Sequence, residues 1–237
     1  MPSDVAAWQS MVQKFRKKAV FREAEPIVAD LDAAVQAITQ ILAREGILAV
    51  GAVAKGVKGD DRAAEKVATE YGGDWWLIKD LARGTIAIDS ARQADAVMQA
   101  VIDYCTPSNG WSFHDKKLPR DNPKGYSDWK VFVRRHGNVA EIQVNTKAML
   151  WAKDMSFFMA NLKDSAPEMK ARFGMVPGGL GHWFYELTRA AGSPHAAAAD
   201  AAGVAYYDYF RSDPPSMMKG QAARAALAAL PPPPLHH

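Results

Sequence analysis

At 237 residues the chain has room for one large domain with a buried core, and 49% apolar and 23% charged residues are ordinary for a globular protein. No run approaches the roughly 18 apolar residues that a membrane span needs, and Met1-Pro2-Ser3-Asp4 leads into a polar helix rather than a signal-peptide apolar stretch. One cysteine, Cys105, excludes an internal disulfide framework and points to a soluble protein of a reducing, cytosolic compartment. A toxin delivered by dedicated secretion machinery carries the same features.

The chain opens with a helix predicted over 4–18. A second is predicted from about Asp30 to Arg44, where Leu31, Val35, Ile38 and Leu42 keep helical spacing and Gly46 is the stop. Ile47 to Val53 is a short apolar stretch that ends in the loop Ala54-Lys55-Gly56-Val57. Asp60 and Asp61 suit the start of a helix ending near Gly72-Gly73. A strand over Gly84–Asp89 and a helix over Ala91–Tyr104 come next, then strands at about 110–115, 127–135 and 138–145. From Met149 the pattern is helical, broken at Gly178-Gly179 and Gly192. After Ser212 a Pro/Ala-rich tail, 213–237, reads as a short helix and a disordered end. Helices around a cluster of strands place the chain in the α/β (α+β) class, with 1–212 as a single domain, 213–237 as its tail, and helical N- and C-terminal additions.

The net charge of +3 is unevenly spread. Lys14, Arg16, Lys17, Lys18 and Arg22 form one basic cluster; Lys116, Lys117, Arg120, Lys124, Lys130, Arg134 and Arg135 form another. Each reads as a solvated face or as a surface for a polyphosphate or nucleic acid.

Four segments carry candidate chemistry. Lys58, Arg62 and Lys66, spaced by four, form a stripe along the helix after the Gly56 loop. Like charges at that spacing repel; an anion docked beside the helix N-terminus would relieve the repulsion, or the stripe is an exposed helix face balanced by Asp61 and Glu65. In Lys79-Asp80-Leu81-Ala82-Arg83-Gly84-Thr85, Asp80 just before a strand is a natural Mg²⁺ ligand, or a turn aspartate. Gly125-Tyr126-Ser127-Asp128-Trp129-Lys130 opens a strand that puts Tyr126, Asp128 and Lys130 on one face. That face suits a base stacked on the ring with the cation on phosphate, or Tyr126 is simply a good β residue. Val139-Ala140-Glu141-Ile142-Gln143-Val144-Asn145 alternates strictly, turning Glu141, Gln143 and Asn145 to one face. That face suits a metal ion and a sugar hydroxyl together, or simply water.

In this order the segments resemble the synthetase domain of RelA/SpoT-type small alarmone synthetases over roughly residues 45–190. Gly181-His182-Trp183-Phe184-Tyr185-Glu186-x-x-Arg189 is similar to a segment after that core in small members. The resemblance implies a nucleotidyltransferase-like mixed β-sheet flanked by helices. It implies an ATP-dependent pyrophosphokinase that moves the β,γ-pyrophosphate of ATP to the 3′-hydroxyl of an acceptor. Carried over by position, Asp80 and Glu141 hold Mg²⁺, and Glu141 also faces the 3′-OH. Gln143 supports the acceptor ribose. Lys55, Lys58, Arg62, Lys66 and Arg83 grip ATP, and Tyr126, Lys130 and Asn145 meet the acceptor.

Several positions depart from the family pattern. Gly56 stands where an arginine is usual, the serine usual at the Arg62 position is absent, Ser127-Asp128-Trp129-Lys130 replaces Arg-Ser-x-His, and Asn145 replaces an arginine. These departures resemble the toxin- or phage-associated members and shift the expected acceptor from guanine towards adenine nucleotides, with (p)ppApp-type products. Two alternatives stay open: a toxin that pyrophosphorylates the 3′ end of transfer RNA, and an inactive nucleotide- or partner-binding module. The implied partners are ATP and a purine nucleotide, with transfer RNA, a neutralising antitoxin or immunity protein, and a second copy of the chain as further candidates. His182, Tyr185, Glu186 and Arg189 share a helix face expected to pack on the core, and the six histidines offer no zinc spacing.

Overall fold

The computed structural model describes residues 2–119, 124–189 and 193–233, with the side chains of 2–4 and 189 left out. Arg120, Gly192 and the terminal histidines therefore lie outside the described residues. Two compact units emerge. The first is drawn from Met1–Ile86, Asp95–Lys117 and Trp129–Val144, the second from Ala87–Ala94, Leu118–Asp128 and Asn145–His237.

In the first unit α1 runs unbroken over Pro2–Arg44, so the two helices expected there are one. Pro26 removes a hydrogen bond inside it. Val20, Ala24, Ile27, Leu31, Val35, Ile38 and Leu42 nevertheless keep spacings of three and four straight through the proline, and all are buried. Burial of that stripe carries the helix past its weak point. An 18-residue window within Val5–Arg44 reaches a mean hydropathy of 1.2, so by length and composition one helix does qualify for a membrane, contrary to the sequence reading. The one-sided burial is the pattern of a core helix.

After α1 come β1 (Ala49–Val53), α2 (Asp60–Glu70), β2 (Ala82–Ile88), α3 (Ala94–Tyr104), β3 (Ser112–Lys117), β4 (Trp129–Arg135) and β5 (Asn138–Thr146). They build a five-stranded sheet in the order β1-β2-β5-β4-β3. From β3 through β4 to β5 the pairing is antiparallel, with a register shift between Phe113 and Asp115. β5 lies between β2 and β4, which brings the strand carrying Glu141 beside the strand that follows Asp80. Val20 and Ala24 of α1 pack with Ala63 and Val67 of α2 and with Trp75, Ile78 and Leu81. That cluster anchors the Lys79-Asp80 turn on both sides.

The second unit is helical: α4 (Lys147–Lys153), α5 (Met155–Asn161), α6 (Ala166–Phe173), α7 (Gly181–Arg189), α8 (Ala196–Arg211) and α9 (Met217–Ala228). Its core gathers Met149, Phe158, Phe173, Trp183, Phe184, Tyr206, Phe210 and Ala223. On α7 the buried residues are Trp183 and Phe184, while His182, Tyr185 and Glu186 are exposed. The face expected to pack on the core therefore points outward, because Trp183 and Phe184 carry the more apolar surfaces and win the inside position. His182 still reaches the Asp154 carboxylate at 3.0 Å.

Candidate active site

Lys58 and Lys66 do not lie along one helical stripe. Lys58 precedes α2 and is tied by its backbone N–H to the Leu81 carbonyl at 2.9 Å, so the loop runs beside the Asp80 turn. Both ammonium groups then converge on one oxygen: Lys58 Nζ donates to Asp80 Oδ2 at 2.7 Å and Lys66 Nζ at 3.0 Å. Arg83 on β2 adds positive charge near Lys58. Arg62 and Lys55 are exposed, and neither bonds Asp80 among the described residues.

Asp80 is 5% exposed, and its other oxygen, Oδ1, is buried with no hydrogen-bond partner. A buried polar atom without a partner costs about 1–3 kcal/mol and marks a place for an ion or water. Burial alone would raise the Asp80 pKa, but the Lys58 bond and the two ammonium charges outweigh it and hold the carboxyl below its ordinary value. Burial lowers the Lys58 pKa despite Asp80, whereas at Lys66 the Asp80 charge and bond overcome burial and raise it.

Glu141 is 2% exposed, which overturns the solvated-face reading of β5. Its Oε2 accepts from Lys130 Nζ at 3.3 Å and its Oε1 from Gln143 Nε2 at 2.5 Å. The register explains this: Phe132 faces Glu141 and Lys130 faces Gln143, so the lysine reaches one pair diagonally along the sheet. Tyr71, which the sequence reading missed, is half-buried beside this centre. Burial raises its pKa, and the charges of both Asp80 and Glu141 act in the same direction. One phenol thus feels both carboxylates.

In the second unit, Tyr126 and Asp128 lie ahead of β4, which begins at Trp129, so they do not share a strand face with Lys130. Loop geometry replaces strand geometry because Gly125, with φ of +80°, turns the chain there. Asn145 is fully buried at 0% exposure. Its Nδ2 donates to the Tyr126 hydroxyl at 2.7 Å, and its Oδ1 accepts from Thr146 N–H at 3.0 Å. Lys153, at the end of α4 and also missed, donates to the same hydroxyl at 2.9 Å. Nothing in the local sequence marks either Tyr71 or Lys153.

A divalent cation fits the first-unit residues. Among the described residues no cluster of three or more His, Cys, Asp or Glu is present, but Mg²⁺ needs only one or two carboxylates when a polyphosphate completes its shell. The orphaned Asp80 Oδ1 is the free donor such a cation requires.

No family model matches the chain. The (p)ppApp synthetase toxin Tas1 of Pseudomonas aeruginosa (strain UCBPP-PA14) is 33% identical over 199 residues, covering 81% of this chain and 42% of that protein. The chain thus spans less than half the length of the curated relative it matches. The crystal structure of the complex between the Type VI effector Tas1 and its immunity protein is similar at 28% identity and a TM-score of 0.58, covering 81% of this chain and 96% of that chain. The small alarmone synthetase 1 from Bacillus subtilis bound to its product pppGpp is 16% identical, with a TM-score of 0.43 over 79% of this chain and 89% of that chain.

Proposed function

We propose that the chain is a toxin-associated member of the RelA/SpoT-type small alarmone synthetases and that it moves pyrophosphate from ATP to the 3′-hydroxyl of an adenine nucleotide. The acceptor 3′-oxygen bonds to the β-phosphorus of ATP, the bond from that phosphorus to the α–β bridging oxygen breaks, and AMP leaves. The 3′-hydroxyl proton goes to Glu141. Lys130 and Gln143 hold the Glu141 carboxylate in one orientation, so it is positioned before the acceptor arrives.

The observation that carries the reading is Asp80. One of its oxygens is gripped by two lysines and the other is buried and unpartnered. Lys58, Lys66 and Arg83 supply the positive potential that a triphosphate needs. Bound at Asp80 and Glu141, Mg²⁺ would neutralise phosphate charge that builds up in transfer. Tyr126 stacks on the acceptor base. Gly56 and Asn145 stand where the family's arginines are usual, and a π-face accepts either purine. The Tas1 complex, in which that effector is seen with its immunity protein, supports a neutralising partner for this chain as well. The basic clusters leave transfer RNA as a second acceptor to test.

The test offers the protein ATP and Mg²⁺ alone, then with GDP, GTP or deacylated transfer RNA. Expected is consumption of ATP with release of AMP and no second nucleotide required. Turnover that waits for GDP or GTP would make it a guanine alarmone synthetase, and turnover only with transfer RNA would make it a translation toxin.

A further inference from the structure

The Tyr126 hydroxyl has three bonding capacities, one proton to donate and two lone pairs to accept. All three are used. It donates to Asp128 Oδ2 at 3.2 Å, and it accepts from Asn145 Nδ2 at 2.7 Å and Lys153 Nζ at 2.9 Å. The Lys153 nitrogen also lies 4.5 Å from the ring centroid. Its short distance to the oxygen puts it at the hydroxyl end, not over the middle of the face. Tyr207 meets the ring edge-on, with centroids 5.4 Å apart.

The backbone beneath the ring is held as tightly. A Cβ at Gly125 would sit 2.6 Å from the Gly203 carbonyl oxygen and 2.6 Å from Val204 Cα, so the chain lies directly against α8 there. Arg211 of α8 donates to the Gly125 carbonyl and to Ser127 Oγ, one residue either side of Tyr126. Ring, hydroxyl and backbone are therefore each fixed by the second unit's own residues.

We propose that Asn145 and Lys153 are positioning residues that saturate the Tyr126 hydroxyl, so the ring meets the acceptor purine by its face alone and reads no base edge. The proposal rests on the reading that Tyr126 stacks on the acceptor. It reassigns Asn145, expected from sequence to touch the acceptor, to acting through Tyr126. Its buried amide has one group on the phenol and the other on the backbone, so both are spent within the protein. A hydroxyl with no capacity left cannot itself distinguish adenine from guanine.

A double-mutant cycle tests it. Tyr126→Phe keeps the ring and removes the hydroxyl. Tyr126→Phe and Asn145→Ala should each raise the acceptor KM about fivefold to tenfold with the ATP KM little changed, and the double variant should be no worse than about twofold beyond either single. Lys153→Met should behave as Asn145→Ala does, and Asn145→Ser, which keeps a small polar group, covers the case in which alanine unfolds the chain. The ratio of KM for ADP to KM for GDP should be unchanged in Tyr126→Phe. Losses that multiply in the double variant, or a shifted ADP-to-GDP ratio, overturn the proposal. If the wild-type protein transfers pyrophosphate to no nucleotide, the functional reading falls separately. The same cycle is then read from urea unfolding, where additive losses overturn the positioning role and coupled losses support it.

Discussion

Two lysines share one oxygen of the buried Asp80 carboxylate. Removing its charge leaves Lys58 half-buried without this partner and Lys66 with only Glu70, 3.8 Å away. Asp80→Asn should therefore lower stability by roughly 3 kcal/mol at neutral pH, the scale for breaking a buried pair. It should also cut transfer at least about a hundredfold. The folded carboxyl titrates below its ordinary 3.8. Its stabilisation is thus complete above that value and lost as pH falls through the lower, folded one, so the wild type should lose urea resistance below about pH 4 more steeply than Asp80→Asn. Parallel acid limbs would mean that the lysines are balanced elsewhere. Cys105 gives a second residue-scale test. Burial pushes its thiol pKa up to about 12. A thiol-specific disulfide reagent at pH 8 should label the native chain far more slowly than the urea-unfolded chain. Equal rates would place the thiol in water.

Among the elements, the strands were legible because alternation is written into them. Ala140, Ile142 and Val144 were expected on one face of β5 and are all fully buried. What alternation could not say is that the opposite side is buried too, because what covers a strand is set by residues far away in sequence. The lysine stripe failed for a related reason. Helical spacing of four placed Lys58 on α2, but the helix starts at Asp60, and a backbone bond to Leu81 aims the lysine. The two helices expected over 4–18 and Asp30–Arg44 are one, since tertiary burial continues α1 through Pro26, where local propensity would end it. A proline inside a helix costs about 3 kcal/mol relative to alanine, partly offset by its stiffening of the unfolded chain. Pro26→Ala should accordingly raise stability by about 1–2 kcal/mol in urea unfolding. A neutral or destabilising result would mean that the ring itself packs in a way the helix depends on.

At the scale of the molecule, α9 and Leu230, past Ser212, belong to a core. The sequence marks them as a Pro/Ala-rich tail, because alanines show no amphipathic pattern strong enough to announce a packed helix. In α9, however, Gly220 and Ala223 are buried, and Ala223 and Leu230 join the cluster that holds Phe173, Tyr206 and Phe210. Small residues are what let α9 approach closely: a Cβ at Gly220 would press on Met175 Sδ and lie 3.0 Å from Tyr209 Cε2. Ending the chain at Ser212 strips this layer and should lower the urea midpoint by the equivalent of at least about 2 kcal/mol, the scale of an emptied core position. Two point variants give the same answer without truncation. Gly220→Ala should be close to neutral, since the Met175 side chain bends away and alanine favours a helix by about 1 kcal/mol. Gly220→Leu must displace the Tyr209 ring and should cost about 1–3 kcal/mol. If Gly220→Leu and the truncation both unfold at the wild-type midpoint, α9 is an appendage and the helical core ends at α8.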